Sequence, residues 1–186
     1  FCEGGSLAVE GGAAVAASIN EVLNGEHGYD VVVATRDHHI DPGSHFSDNP
    51  DFIDSWPPHC VAGTPGAEFR PTLVWRSFDA IFDKGEYAAA YSGFEGADHS
   101  QGDIGLEAFL RDRGVTEVDV CGIATDYCVN ATAVDAVHAG FDTSVLLELT
   151  AAVAPPNVPG YVQNWQTEGI WVATASDPEP GEATAP

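Results

Sequence analysis

Positive charge is scarce in this chain: 6 Lys and Arg residues stand against 29 Asp and Glu, a formal net charge of −23. Such a field repels phosphate backbones and anionic bilayers, so neither nucleic acid nor a membrane surface is expected as a partner. It favours solubility and points to a salty habitat, where counterions screen the self-repulsion. Long apolar runs are also missing. Segments such as Val31 to Ala34 fall far short of the ~20 residues that span a bilayer. No internal repeat stands out. Cys-x-x-Cys pairs are absent, which removes zinc-ribbon and thioredoxin-type chemistry. Cys2, Cys60, Cys121 and Cys128 do not form a disulfide framework in a chain of 186 residues, so a reduced, cytoplasmic protein is expected. Methionine is absent altogether and the sequence opens on Phe1, so translation is expected to begin upstream.

Val15, Ile19, Val22 and Leu23 recur at the spacing of one helix face and predict a helix over 11–25, ended by Gly25 and Gly28. Tyr29 to Thr35 reads as a buried strand, because Val31-Val32-Val33 leaves no polar alternation. Residues 36–72 are rich in Pro, Gly, Asp and His, and so long an irregular loop in a compact domain is usually functional. Further strands are predicted at 78–82, 118–123, 144–149 and 170–173, and helices at 106–114, 127–138 and 158–167. Residues 176–186 are rich in Pro and Glu and read as a disordered tail, which leaves a single domain over 1–175. Alternating strands and helices imply an α/β fold with a mainly parallel sheet, whose site lies at the carboxyl ends of the strands. Asp37, Lys84 and Cys128 each fall just past a predicted strand.

Three clusters carry chemistry. The first is Asp37-His38-His39 followed by His45, a D-x-H-x5-H pattern, with His59 further along the same loop. Any one of these histidines suits a polar surface loop. Four candidate ligands together (Asp37, His39, His45 and His59) point to a first-row divalent metal with room for bound water. His38, His27, His99 and His138 are taken as ordinary residues. The second is Lys84, the single lysine, set at a strand end where a fixed ammonium can stabilise a thiolate. The third is Gly122-Ile123-Ala124-Thr125-Asp126-Tyr127-Cys128. A strand runs into a turn, with Asp126 as the expected N-cap and Cys128 in the first helical turn. Free N–H groups and the positive helix end lower a thiol pKa there and can hold an oxyanion. Cys2, Cys60 and Cys121 are expected to be small buried apolar residues instead.

These motifs together resemble the nicotinamidase/pyrazinamidase family, in its actinobacterial form. The likeness runs from Phe1-Cys2-Glu3-Gly4-Gly5-Ser6-Leu7-Ala8-Val9 through the metal loop and Pro57-Pro58-His59-Cys60 to Gly122-Ile123-Ala124-Thr125-Asp126-Tyr127-Cys128-Val129. It implies the isochorismatase-like fold, a three-layer α-β-α arrangement around a six-stranded parallel sheet. It further implies one divalent ion (Fe, Mn or Zn) on Asp37, His39, His45 and His59. Lys84 and Cys128 would be two members of an Asp-Lys-Cys triad. The backbone N–H groups of Ala124 and Cys128 would form the oxyanion hole, beside a cis Ile123–Ala124 peptide. Phe1, Trp56 and Tyr91 would hold the pyridine ring. Tyr127 departs from the His that relatives in this branch often carry. The triad's Asp belongs to the family's first strand, which is expected within roughly 10–13 further residues before Phe1. The activity implied is hydrolysis of nicotinamide or pyrazinamide through a cysteine thioester, on a small-molecule amide, by a monomer or small homo-oligomer. Two alternatives stand beside it: another isochorismatase-like hydrolase, or an inactive metal-binding scaffold.

Overall fold

The computed structural model describes residues 1–173, so the expected tail over 176–186 lies outside the described residues. Helix α1 spans Gly12–Asn24 and buries Val15, Ala16 and Leu23, the stripe that its apolar spacing predicts. Strands β1 (Val33–Asp37) and β2 (Ala80–Lys84) pair in parallel, with Asp37 opposite Lys84. Both end two residues later than the sequence suggests, and β1 starts four residues later, β2 two. Ahead of Val33, the Val32 N–H donates to the Asp79 carboxylate at 2.8 Å, so regular pairing begins only afterwards. The shift makes Asp37 and Lys84 the last strand residues rather than the first loop residues.

A short antiparallel ribbon, β3 (Ala97–Asp98) and β4 (Ile104–Gly105), leads into α2 (Leu106–Asp112) and was not anticipated. Then come β5 (Glu117–Ile123), α3 (Asn130–His138), β6 (Asp142–Ala151), α4 (Val158–Glu168) and β7 (Trp171–Ala173). Phe82 packs with Phe109, Leu110 and Ala136, tying β2 to α2 and α3. Trp165 is fully buried against Val129, Ala133, Val145 and Ile170, which fixes α4 onto α3 and β6. Val15 packs with Val9, Ala124 and Ala151, so α1 covers the carboxyl ends of β5 and β6. The α/β class with parallel main strands is as expected.

The six-stranded sheet was expected with its first strand absent from this sequence, and the described residues form two half-sheets, ordered β1-β2-β3-β4 and β5-β6-β7. Between β1 and β5 runs a cavity of about 540 Å³, lined by residues 31–37 and 117–123 and by Val15, Ile19 and Leu23 of α1. Strands separated by such a space lie beyond the ~4.8 Å of a shared ladder, so no strand-to-strand ladder joins β1 to β5. Tyr29 spans the gap by donating to the Asp119 carboxylate at 2.6 Å. Among the described residues no helix is long and apolar enough to cross a membrane.

Candidate active site

Strand register delivers the first two functional groups. Because Asp37 and Lys84 end neighbouring parallel strands, their side chains meet at the carboxyl edge, both buried. The Lys84 ammonium donates to Asp37 Oδ1 in a very short contact, to the Ala90 carbonyl at 3.2 Å and to Cys128 Sγ at 3.5 Å. Burial alone would lower the Lys84 pKa. The charges of Cys128 and Asp37 outweigh it and hold the ammonium above its ordinary value. Lys84 is therefore a fixed cation beside the sulfur.

Cys128 lies in the first helical turn after β5, as expected, but that turn is wide: residues Thr125–Val129 form a π-helical turn that runs directly into α3 at Asn130. Desolvation pushes its thiol above the ordinary value, and the opposing influence of Lys84 does not overcome this. Asp37 adds a negative charge that pushes the same way, a direction opposite to the lowering that the sequence suggests. Asp126 is not an N-cap either. Its buried carboxylate accepts from the backbone N–H groups of Val153 at 2.9 Å and Ala154 at 2.7 Å, pinning the loop after β6 under the turn. The Ile123–Ala124 peptide is cis, as the resemblance implies. Ala124 is buried beside the sulfur, and its backbone favours the ionised thiol.

The histidines converge. One ring nitrogen from each of His39, His45 and His59 lies within 4.8 Å of the others, and all three residues are buried. His39 Nδ1 faces the Gly85 carbonyl at 2.6 Å and His59 Nδ1 faces the Pro57 carbonyl at 2.8 Å. Each Nδ1 therefore carries the proton and each Nε2 is left as a lone pair. His39 Nε2 and His45 Nδ1 are buried without a hydrogen-bond partner. Desolvation lowers the pKa of His45 and of His59, which keeps both imidazoles neutral. Asp37 Oδ2 stands 3.9 Å from both His39 Nε2 and His59 Nε2. Unpaired nitrogen lone pairs and one carboxylate oxygen facing a common point fit a divalent ion.

Gly85 is the support that sequence reasoning missed. It adopts φ 73°, and a Cβ there would lie 2.6 Å from His39 Cε1. Glycine is thus required both by the backbone and by the ring whose tautomer its carbonyl sets. Gly85→Ala is expected to lower metal affinity roughly 10-fold or more. Chelator-competition titration measures this, and an unchanged affinity would show that His39 tolerates displacement.

Phe1, Trp56, Tyr91 and Tyr127 surround a space of about 30 Å³ above Cys128, together with Asp37, His45, His59 and Ala124. Leu7, Val9, Ala90 and Val153 complete its wall, apolar residues that carry no signal in the sequence. The larger cavity between the half-sheets reaches Lys84 and Cys128 from the other side. It lacks His45, His59, Trp56, Tyr91 and Tyr127, all of which line the small space, so the chemistry converges there. Other titratable residues stay apart from it. His38 pairs with Glu86 at 3.2 Å, His99 with Asp103 at 2.7 Å, and His138 approaches Glu168 at 3.7 Å. Cys60 is buried as expected and its thiol is pushed up to about 12 by desolvation. Cys2 is half-buried, and Cys121 faces the cavity between β1 and β5, where desolvation pushes its thiol up to about 12.

Comparison with known proteins places this geometry in context. A family model described as the isochorismatase domain matches residues 1–177. The chain is 52% identical over 176 residues to a nicotinamidase/pyrazinamidase of Mycobacterium tuberculosis, covering 95% of this chain and 94% of that one. Among solved structures, PnC1 from L. infantum in complex with nicotinate superposes with TM-score 0.81 at 32% identity, covering 95% of this chain and 87% of that one. The pyrazinamidase of Pyrococcus horikoshii in complex with zinc gives TM-score 0.79 at 34% identity, covering 94% and 92%.

Proposed function

The chain belongs to the isochorismatase family, and from that premise we propose that it hydrolyses nicotinamide to nicotinate and ammonia, and pyrazinamide to pyrazinoate and ammonia, through a thioester on Cys128. The observation that carries this reading is Cys128 Sγ 3.5 Å from the buried Lys84 ammonium, directly beside the three-histidine cluster. The relative of Mycobacterium tuberculosis bears both activities in its name, and the L. infantum structure holds the product of the first.

The steps follow from what an amide demands. Cys128 sulfur attacks the carboxamide carbon, and the carbonyl electron pair moves onto oxygen. Backbone N–H groups of Ala124 and Cys128 are the donors proposed to receive that oxyanion. Lys84 holds negative charge on the sulfur before attack. Nitrogen is a poor leaving group and must take a proton, the one that the Cys128 thiol gives up, as the C–N bond breaks. Ammonia departs, and water then attacks the thioester carbon, releasing the carboxylate and returning the thiol. Phe1, Trp56 and Tyr91 would clasp the ring by stacking and edge contacts. Asp37, His39, His45 and His59 would hold one Fe, Mn or Zn ion, which when bound supplies Lewis acidity at the substrate end of the pocket. A cytoplasmic enzyme acting alone or as a small homo-oligomer suits this role.

Ammonia release from both amides, with and without a chelator, tests the reading. Turnover on both is expected, lost on chelation and restored by a divalent ion. Full activity in metal-free protein, or no release from either amide, would overturn it.

A further inference from the structure

The space above Cys128 is too small for the ring it is proposed to hold. About 30 Å³ accommodates roughly two waters, whereas ligand pockets run to some hundreds of Å³. The larger cavity meets Cys128 only from the β1–β5 side, away from the histidines and the aromatic rings, so a ring seated among those residues needs a wall of this space to move, and residues 47–56 have the build of a moving part. Their base is fixed, with Ser47 N–H donating to the Trp56 carbonyl at 2.9 Å and Trp56 N–H to the His45 carbonyl at 2.8 Å. Their tip is a unit folded on itself. The Asp51 carboxylate accepts from the N–H groups of Ile53, Asp54 and Ser55 at 2.9, 3.0 and 2.9 Å, and from the Ser55 hydroxyl at 2.9 Å. Phe52 and Ile53 are exposed, so no apolar packing holds the tip down on its outer side.

Two phenols hold it on the inner side. Tyr91 Oη accepts from Trp56 Nε1 at 3.0 Å and donates to the Ile53 carbonyl at 3.4 Å. Tyr127 Oη donates to the Phe52 carbonyl at 3.5 Å, and its ring stands edge-on to Trp56 with centroids 5.2 Å apart. We propose that Tyr127 is the gating residue of this enzyme: its hydroxyl latches the Asp51-centred cap over Cys128, and release of that latch admits the substrate. Both bonds lie at the long limit for hydrogen bonds and are individually weak, as a latch that opens at every turnover requires. The inference rests on the amidase reading for its purpose, but not for its test.

The test is alkylation of Cys128 by iodoacetamide, followed by mass spectrometry of the Cys128 peptide over a range of pH. Tyr127→Phe keeps the ring and removes the latch. Its high-pH plateau rate is expected to rise roughly two- to five-fold, the population shift from losing one weak hydrogen bond. A change confined to the midpoint of the pH profile would mean that Tyr127 acts on the thiol and would overturn the gate. Asp51→Ala unfolds the cap from a position remote from the sulfur and is expected to raise the same plateau. Unchanged plateaus in both variants would show that the reagent, and any substrate, reaches Cys128 without the cap opening. Alkylation needs no amide turnover, so a gate that fails and an amidase reading that fails give different results.

Discussion

Cys128→Ala is expected to reduce ammonia release from nicotinamide by at least about 10³-fold, because the covalent route vanishes with its nucleophile. The fold and the metal cluster should survive. Cys128 is half-buried and touches the histidine cluster only through Asp37 and Lys84, so removing one sulfur atom leaves the imidazoles where they are. The informative control is Cys60→Ala. Cys60 lies on the metal loop, and its N–H-to-carbonyl neighbourhood supports His39, whose own N–H donates to the Cys60 carbonyl at 2.9 Å. Burial pushes its thiol up to about 12, so at neutral pH it is an inert thiol. Cys60→Ala should keep substantial turnover. A dead Cys60 variant beside an active Cys128 variant would exchange the two assignments.

How far this site was legible depends on what each residue's role requires. Asp37, His39, His45 and His59 were readable because metal ligands must be particular residue types, and four of them share one loop. The structure brings one ring nitrogen from each of His39, His45 and His59 within 4.8 Å of the others, with Asp37 Oδ2 3.9 Å from two of the rings. Lys84 was readable because it is the single lysine. Gly85, Asp126 and the wall residues Leu7, Ala90 and Val153 were not, since each acts through a backbone carbonyl, a backbone N–H or mere bulk. Any of those roles looks like ordinary punctuation or core in the sequence. The π turn at Thr125–Val129 was hidden for a related reason. Helical periodicity does not distinguish a wide first turn from a regular one. The main strands β2, β5, β6 and β7 were found from their apolar runs to within about two residues, and β1 with its start four residues early. The β3–β4 ribbon was missed because two-residue strands carry no period.

The Asp37–Lys84 pair supports the second large expectation. Asp37 divides its two oxygens: Oδ1 accepts from Lys84, while Oδ2 faces His39 and His59. One carboxylate therefore joins the lysine at the sulfur to the cluster at the ring end, and both charges are buried, with side chains 6% and 2% exposed. Removing one member of such a pair leaves an uncompensated buried charge. Lys84→Met is expected to cost about 3–5 kcal/mol of stability in urea unfolding with chelator present, and to lower turnover steeply because nothing then steadies the thiolate. Lys84→Met combined with Asp37→Asn removes the orphaned charge along with its partner. Most of the lost stability should return, while activity stays lost because both the ammonium and a metal ligand are gone. The sign of that coupling is the decisive quantity. If the double variant lost the sum of the two single losses, Asp37 and Lys84 would be independent neighbours, and the short contact between them would carry no energy. If Lys84→Met alone kept full activity at unchanged stability, the thiol would be sustained by burial and backbone alone, and the role assigned to the ammonium would fall.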